Sequence, residues 1–132
     1  MLKLVIALVL LAHGIGHVLG LLQVFKVATV NPAWNGESWL LTGIVGTGPS
    51  QLVGVALWVA SIIGFVALAA VTVGWLPAEW WPPLAIGASL ASLAGLLLFP
   101  LAFPTTSTIG AALIDVAVLV AGLRYALTDA TI

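Results

Sequence analysis

Long apolar runs, separated by short clusters of Gly, Pro, Asn and Trp, dominate the pattern of this chain. Four runs reach the ~20 residues that a helix needs to cross a hydrocarbon core of ~30 Å. They cover about residues 4–25, 51–73, 84–103 and 108–127. Each fits one crossing and is too short for two. Sheet edges would leave backbone N–H and C=O groups unsatisfied in lipid, so helices are the economical solution. The pattern predicts an all-α, polytopic membrane protein: one four-transmembrane-helix bundle over residues 1–132, with a long loop over 27–50.

The breakers fall where this division needs them. Asn31-Pro32 and Asn35-Gly36 interrupt the chain after the first run, and Gly48-Pro49-Ser50 precedes the second, with Ser50 as its expected N-cap. Gly74-Trp75-Leu76-Pro77 closes the second run. Pro82-Pro83 suits the first turn of the third helix, where a missing N–H leaves no bond unmade. Pro100 should kink or end that helix, and Ser107 is the expected cap of the fourth. Trp34, Trp39, Trp75, Trp80 and Trp81 sit between runs, at headgroup level in this topology; Trp58 is the exception inside the second run. The stretch 39–46 is apolar but too short to span, so it is expected to lie in the interface or dip back into the bundle.

Composition agrees with the pattern. Charged residues make up 5% of the chain and hydrophobic ones 63%, and mean hydropathy is +1.31. Too few polar side chains remain to cover a water-soluble surface. Three basic residues give no footprint for nucleic acid. With no Cys, thiolate catalysis, iron–sulfur ligation and Cys-based zinc sites are excluded. The start, Met1-Leu2-Lys3 before an apolar stretch, imitates a secretory signal. No small-x-small cleavage site follows, and the apolar stretch continues to Phe25, so an uncleaved first helix is expected. Four crossings put both termini on one side. Lys3 and Arg124 lie at that end and Lys26 at the other, which favours cytoplasmic termini.

Within the runs, few residues carry chemistry. His13 and His17 are four apart and share a helix face with Gly16 and Gly20. Imidazoles are unfavourable in lipid, so this face should point into the bundle. Asp115 is the only acid well inside a run. Counting ~1.5 Å per residue from opposite ends of the first and fourth helices puts His17 and Asp115 at matching depth, so a His17–Asp115 pair is expected. An isolated buried carboxylate takes up a proton; a His partner can keep it ionised or share that proton. Gln51, Gly54, Trp58, Ser61 and Phe65 share a face of the second helix, and Ser89, Ser92 and Gly95 one of the third. Close packing by small residues is the first explanation of both faces.

The candidate ligand-binding set is therefore His13, His17, Asp115, Gln51 and Trp58, with Trp58 as a flat wall. No catalytic residue is assigned, no metal site is expected, and the cofactor question stays open. His13 and His17 on one face cannot bind one haem iron from both sides, though two copies could share haem across a dimer; a metal site of two His and one Asp is chemically possible, but no motif spacing marks one.

The segments Ala12-His13-Gly14-Ile15-Gly16-His17-Val18-Leu19-Gly20, Trp39-Leu40-Leu41, Gly54-Val55-Ala56-Leu57-Trp58 and Gly110-Ala111-Ala112-Leu113-Ile114-Asp115-Val116-Ala117-Val118-Leu119 together resemble the small DoxX-like bacterial membrane proteins. The resemblance implies a compact four-helix bundle in a bacterial inner membrane. Some members of that group are linked to quinone-dependent thiosulfate oxidation or redox complexes. No redox-active residue here matches that chemistry, so it is not carried over.

Three functions fit. The first expectation is a structural, accessory or self-associating membrane subunit, since several helix faces are lined with small residues. The alternative is a small enzyme or binding protein for an apolar ligand (quinone, isoprenoid or lipid) using the His/Asp set. Proton conduction ranks last, because one acid and two neighbouring His make a path too short to cross a membrane. The expected partners are the lipid bilayer, a second copy or a larger membrane complex, and an apolar small molecule.

Overall fold

The computed structural model describes residues 1–129, and among these every regular element is a helix. In chain order they are α1 (Leu2–Gly16), α2 (Val18–Val24), α3 (Thr42–Val45), α4 (Thr47–Thr72), a 3₁₀ turn (Ala78–Trp80), α5 (Trp81–Leu98) and α6 (Thr105–Asp129). Among the described residues, four segments are long and apolar enough to cross a membrane: Leu2–Val24, Thr47–Thr72, Ala78–Leu98 and Thr105–Asp129.

The first segment is interrupted at His17. Its N–H bonds the Gly14 carbonyl at 3.2 Å, and the Gly20 N–H bonds the His17 carbonyl at 3.1 Å. These i→i+3 bonds tighten the helix for one turn, a local departure that often accompanies a functional position.

Three boundaries differ from expectation. α4 begins at Thr47 behind Gly46, whose φ of 87° suits glycine, and not at Ser50. Pro49 is accommodated because the first turn of a helix has N–H groups without intrahelical partners. Ser50 lies inside the helix, and its Oγ donates back to the Thr47 carbonyl at 2.9 Å. α5 stops at Leu98 because Pro100 forces Phe99 out of the helical region, to φ −129° and ψ 60°. α6 starts at Thr105, directly after Pro104, so Ser107 lies within the first turn and is not the cap.

The segments pack in sequence: α1 and α2 against α4, α4 against α5, α5 against α6. The first and fourth share no extensive backbone contact. Close approach depends on glycine. A Cβ on Gly64 would stand 2.7 Å from the Ala88 Cβ, and one on Gly14 would stand 2.8 Å from the Phe65 Cβ. Two apolar clusters result. One gathers Leu10, Phe65, Leu68 and Ala88; the other gathers Trp58, Leu96, Phe99 and Phe103.

The connection after α2 is tied to the bundle by side chains. Gln23 accepts the Val30 and Asn31 N–H groups at 2.7 Å each, and its amide donates to the Ala102 carbonyl. Ser38 Oγ donates to the Leu98 carbonyl and Trp39 Nε1 to the Leu97 carbonyl, both at 2.7 Å. These bonds satisfy carbonyls that the end of α5 leaves open. Within 39–46, Trp39 and Ile44 are exposed and α3 rests against α4.

Gly64→Ala is expected to destabilise the bundle by about 1–3 kcal/mol, the usual range for overpacking. Gly87→Ala, where a Cβ meets open space, is the control and should be neutral. Unfolding of both variants in mixed micelles checks this; equal stabilities would contradict the close α4–α5 approach.

Candidate functional site

The chemistry-bearing residues of three segments converge midway along the bundle, between the two apolar clusters. Asp115 of α6 is fully buried. Its Oδ1 accepts from His13 Nε2 at 2.7 Å, and its Oδ2 accepts from Ser92 Oγ at 2.6 Å. The Ser92 oxygen in turn lies 3.0 Å from His17 Nε2. The four side chains thus form one chain of hydrogen bonds, His13–Asp115–Ser92–His17, joining α1, α5 and α6. Both carboxylate oxygens are satisfied, which a buried acid requires.

The rings are held by aromatic edges. His13 meets His17 at a centroid distance of 5.3 Å and Phe65 at 4.5 Å, both near perpendicular. His17 meets Phe103 at 6.1 Å. Phe65 belongs to one core cluster and Phe103 to the other. The polar chain therefore spans the seam between the clusters.

The direct partner of Asp115 is His13, not the His17 that depth counting favours. The reason lies in the start of α6. It begins three residues earlier than expected, which carries Asp115 about 4.5 Å deeper, nearly one helical turn. His13 is one turn from His17 in that same direction. Ser92 fills the remaining gap to His17.

Because the first and fourth segments do not close on each other, a crevice of about 310 Å³ lies between them. His13, Gly16, His17 and Leu19 form one wall, and Ser107, Gly110, Ala111 and Ile114 the other, with Leu96 and Phe103 behind. Leu19 and Gly110 are exposed on the outer side of the bundle, so the crevice opens sideways. Gly16 and Gly110 leave open space where a side chain would stand. The volume is at the small end of ligand pockets. At the inner end, His17 is only 3% exposed and its Nδ1 has no hydrogen-bond partner.

Two expected members stand apart. Gln51 donates to the Gly36 carbonyl at 2.9 Å and lines a different cavity, of about 540 Å³, beside Lys26, Asn31 and Asn35. Trp58 is fully buried, but Phe103 stands between it and His17 (5.8 Å from Trp58), so Phe103 takes the wall position expected of Trp58. Trp58 Nε1 is unpartnered and pressed against Gly95, where a Cβ would come within 3.1 Å of it. Ser92 and Phe103 are the residues that sequence reasoning left out. Ser92 was visible on the Ser89–Ser92–Gly95 face, where small-residue packing explained it equally well.

Among the described residues, no group of three or more His, Cys, Asp or Glu gathers as a metal site. The imidazole Nε2 atoms face a carboxylate and a hydroxyl, and His17 Nδ1 is buried without a partner.

Comparison with protein-family models, with curated proteins and with solved structures finds no match to this chain.

Asp115→Ala would leave His13 Nε2 and Ser92 Oγ without their acceptor. A loss of about 2–4 kcal/mol in micelle unfolding is expected. The double change His13→Leu with Asp115→Leu should lose less than the two single changes summed. Additive losses would contradict a direct pair.

Proposed function

We propose that the chain is an integral membrane protein that binds an apolar molecule with a polar head, admitted sideways from the lipid. The carrying observation is the crevice itself: two imidazoles of an otherwise satisfied buried network stand at its inner end, while its mouth opens between the first and fourth segments. A network serving only as a helix–helix anchor has no need of adjoining open space. The apolar walls fit a tail and the imidazoles fit a head, which is the usual division of labour in small-molecule pockets. A quinone, isoprenoid or lipid has this build.

The same proposal carries the location: a bacterial inner membrane, as the DoxX-like resemblance implies, with cytoplasmic termini as Lys3 and Arg124 favour. The accessory-subunit reading gains no comparable support, because the outward apolar side chains of the four segments are what lipid alone would cover.

Purification into lipid nanodiscs, followed by mass spectrometry of the extracted small molecules, tests the proposal. The wild-type chain should retain a lipid-soluble compound beyond the bulk lipids. Gly16→Leu starts from a position where an added Cβ meets no neighbour and extends into the crevice, so it should keep the fold and lose the compound. His17→Phe should lose it as well. Identical extracts from all three would contradict the proposal.

A further inference from the structure

The connection after α2 builds a second, polar cavity at the end of the bundle away from the termini. Its volume is about 540 Å³, and its walls carry Gln23, Lys26, Thr29, Asn31, Asn35 and Gln51. Protein bonds hold these walls in place. Gln23 ties Val30 and Asn31 to Ala102, the Asn31 amide donates to the Leu101 and Phe103 carbonyls, and Gln51 donates to the Gly36 carbonyl. The cavity is therefore preformed. Lys26 is the one cation on its walls, and no acid lines them. Among the described residues the one ion pair is His13–Asp115, so the exposed Lys26 ammonium has no protein counter-ion. Glu37 lies outside the walls, and its carboxylate accepts from Asn35 Nδ2 at 3.0 Å. The C-terminal carbonyls of a helix would repel an anion, but here they are occupied. The Lys26 N–H bonds the Gln23 carbonyl at 3.1 Å, and the Val27 N–H bonds that of Leu22 at 2.8 Å.

An apolar groove of about 250 Å³ adjoins this cavity and shares Val24 and Gln51 with it. Phe25 forms one side, and Gly48, Leu52 and Val55 form the other. Positions 48, 52 and 55 share a face of α4, so the groove runs along that helix, away from the loop. Phe25 and Leu52 are exposed, on the side that lipid would cover. A polar cavity at headgroup level, an unpaired cation on its wall and an apolar groove leading from it match the parts of a phospholipid. We infer that this end of the bundle binds one anionic phospholipid. The phosphate meets Lys26, the head occupies the amide-lined cavity, and an acyl chain lies in the groove of Phe25, Leu52 and Val55. Free phosphate would use the cavity alone and gain nothing from the groove. A zwitterionic head would bring a second cation to walls that already carry Lys26 and offer it no carboxylate. No residue lines both this site and the crevice of His13 and His17, so the two are separate.

Native mass spectrometry of the delipidated chain in detergent tests this. The probes are phosphatidylglycerol, phosphatidylcholine with the same acyl chains, and glycerol phosphate. The first phosphatidylglycerol is expected to bind about fivefold more tightly than phosphatidylcholine, the effect of one lysine at a lipid surface. Glycerol phosphate, which lacks the chains, should bind far more weakly. Lys26→Gln should level the two lipids, whereas Lys3→Gln, the same charge change at the other end of the bundle, should keep the preference. Gly48→Phe starts where an added Cβ meets no neighbour and extends into the groove, so it should weaken phosphatidylglycerol binding. Gly16→Leu, in the crevice, should leave it unchanged. Equal binding of the two lipids, a preference that survives Lys26→Gln, or full binding in Gly48→Phe would overturn the inference. Glycerol phosphate binding as tightly as the lipid would reduce the site to a phosphate site and overturn the lipid assignment. Loss of phosphatidylglycerol in Gly16→Leu would place the lipid in the crevice, overturning this site while leaving the crevice reading standing.

Discussion

A carboxylate midway along an apolar bundle is the constraint on which the other parts of this structure depend. Asp115 is fully buried and cannot be left alone in a low-dielectric surrounding. It needs donors at both oxygens, and they come from two different segments: His13 on α1 and Ser92 on α5. Because α6 packs on α5 but not closely on α1, the His13–Asp115 bond is a polar bridge across an otherwise open side. The glycines that let α4 approach α1 and α5 set the positions of these donors.

In the proposed reading, the open side is what distinguishes a site from an anchor. A fully closed bundle would satisfy Asp115 and stop there. Here the fourth segment stands off, Gly16 and Gly110 withhold side chains from the gap, and His17 is carried into it at a tightened turn of the first segment. His17 is held by Ser92 at one ring nitrogen and by nothing at the other. Hydrogen bonds inside a low-dielectric region are strong when complete and unfavourable when missing. The two histidines stand beside the crevice with their Nε2 atoms bonded inside the network.

Much of this was legible in the sequence, and the rest was hidden for identifiable reasons. The four segments follow from run length and hydropathy, because lipid permits few alternatives. His13, His17 and Asp115 stand out since polar groups in apolar runs need partners. The pairing among them did not follow, because it turns on where α6 begins. A three-residue shift past Pro104 moves Asp115 by nearly a helical turn and exchanges one histidine for the other. Ser92 was indistinguishable from Ser89 by spacing, yet only Ser92 meets the carboxylate. Gln51 shares a helical face with Trp58, but it lies at the end of α4 that the loop covers, and its amide serves Gly36. Trp58 is displaced from the crevice by Phe103, which follows the end of α5 and whose position depends on the break at Pro100. Periodicity identifies faces; tertiary placement decides which part of a face meets the site.

Photo-crosslinking in native membranes tests the central claim most directly. A photoreactive residue at Ile114, on the crevice wall, is compared with one at Leu113, which is exposed on the outside of the same helix. Intact-mass analysis then reads the adducts. A crevice that holds its own ligand predicts a single dominant small-molecule adduct at position 114, absent at 113, where mixed bulk lipids are captured. The same mixture of bulk lipids at both positions would contradict it.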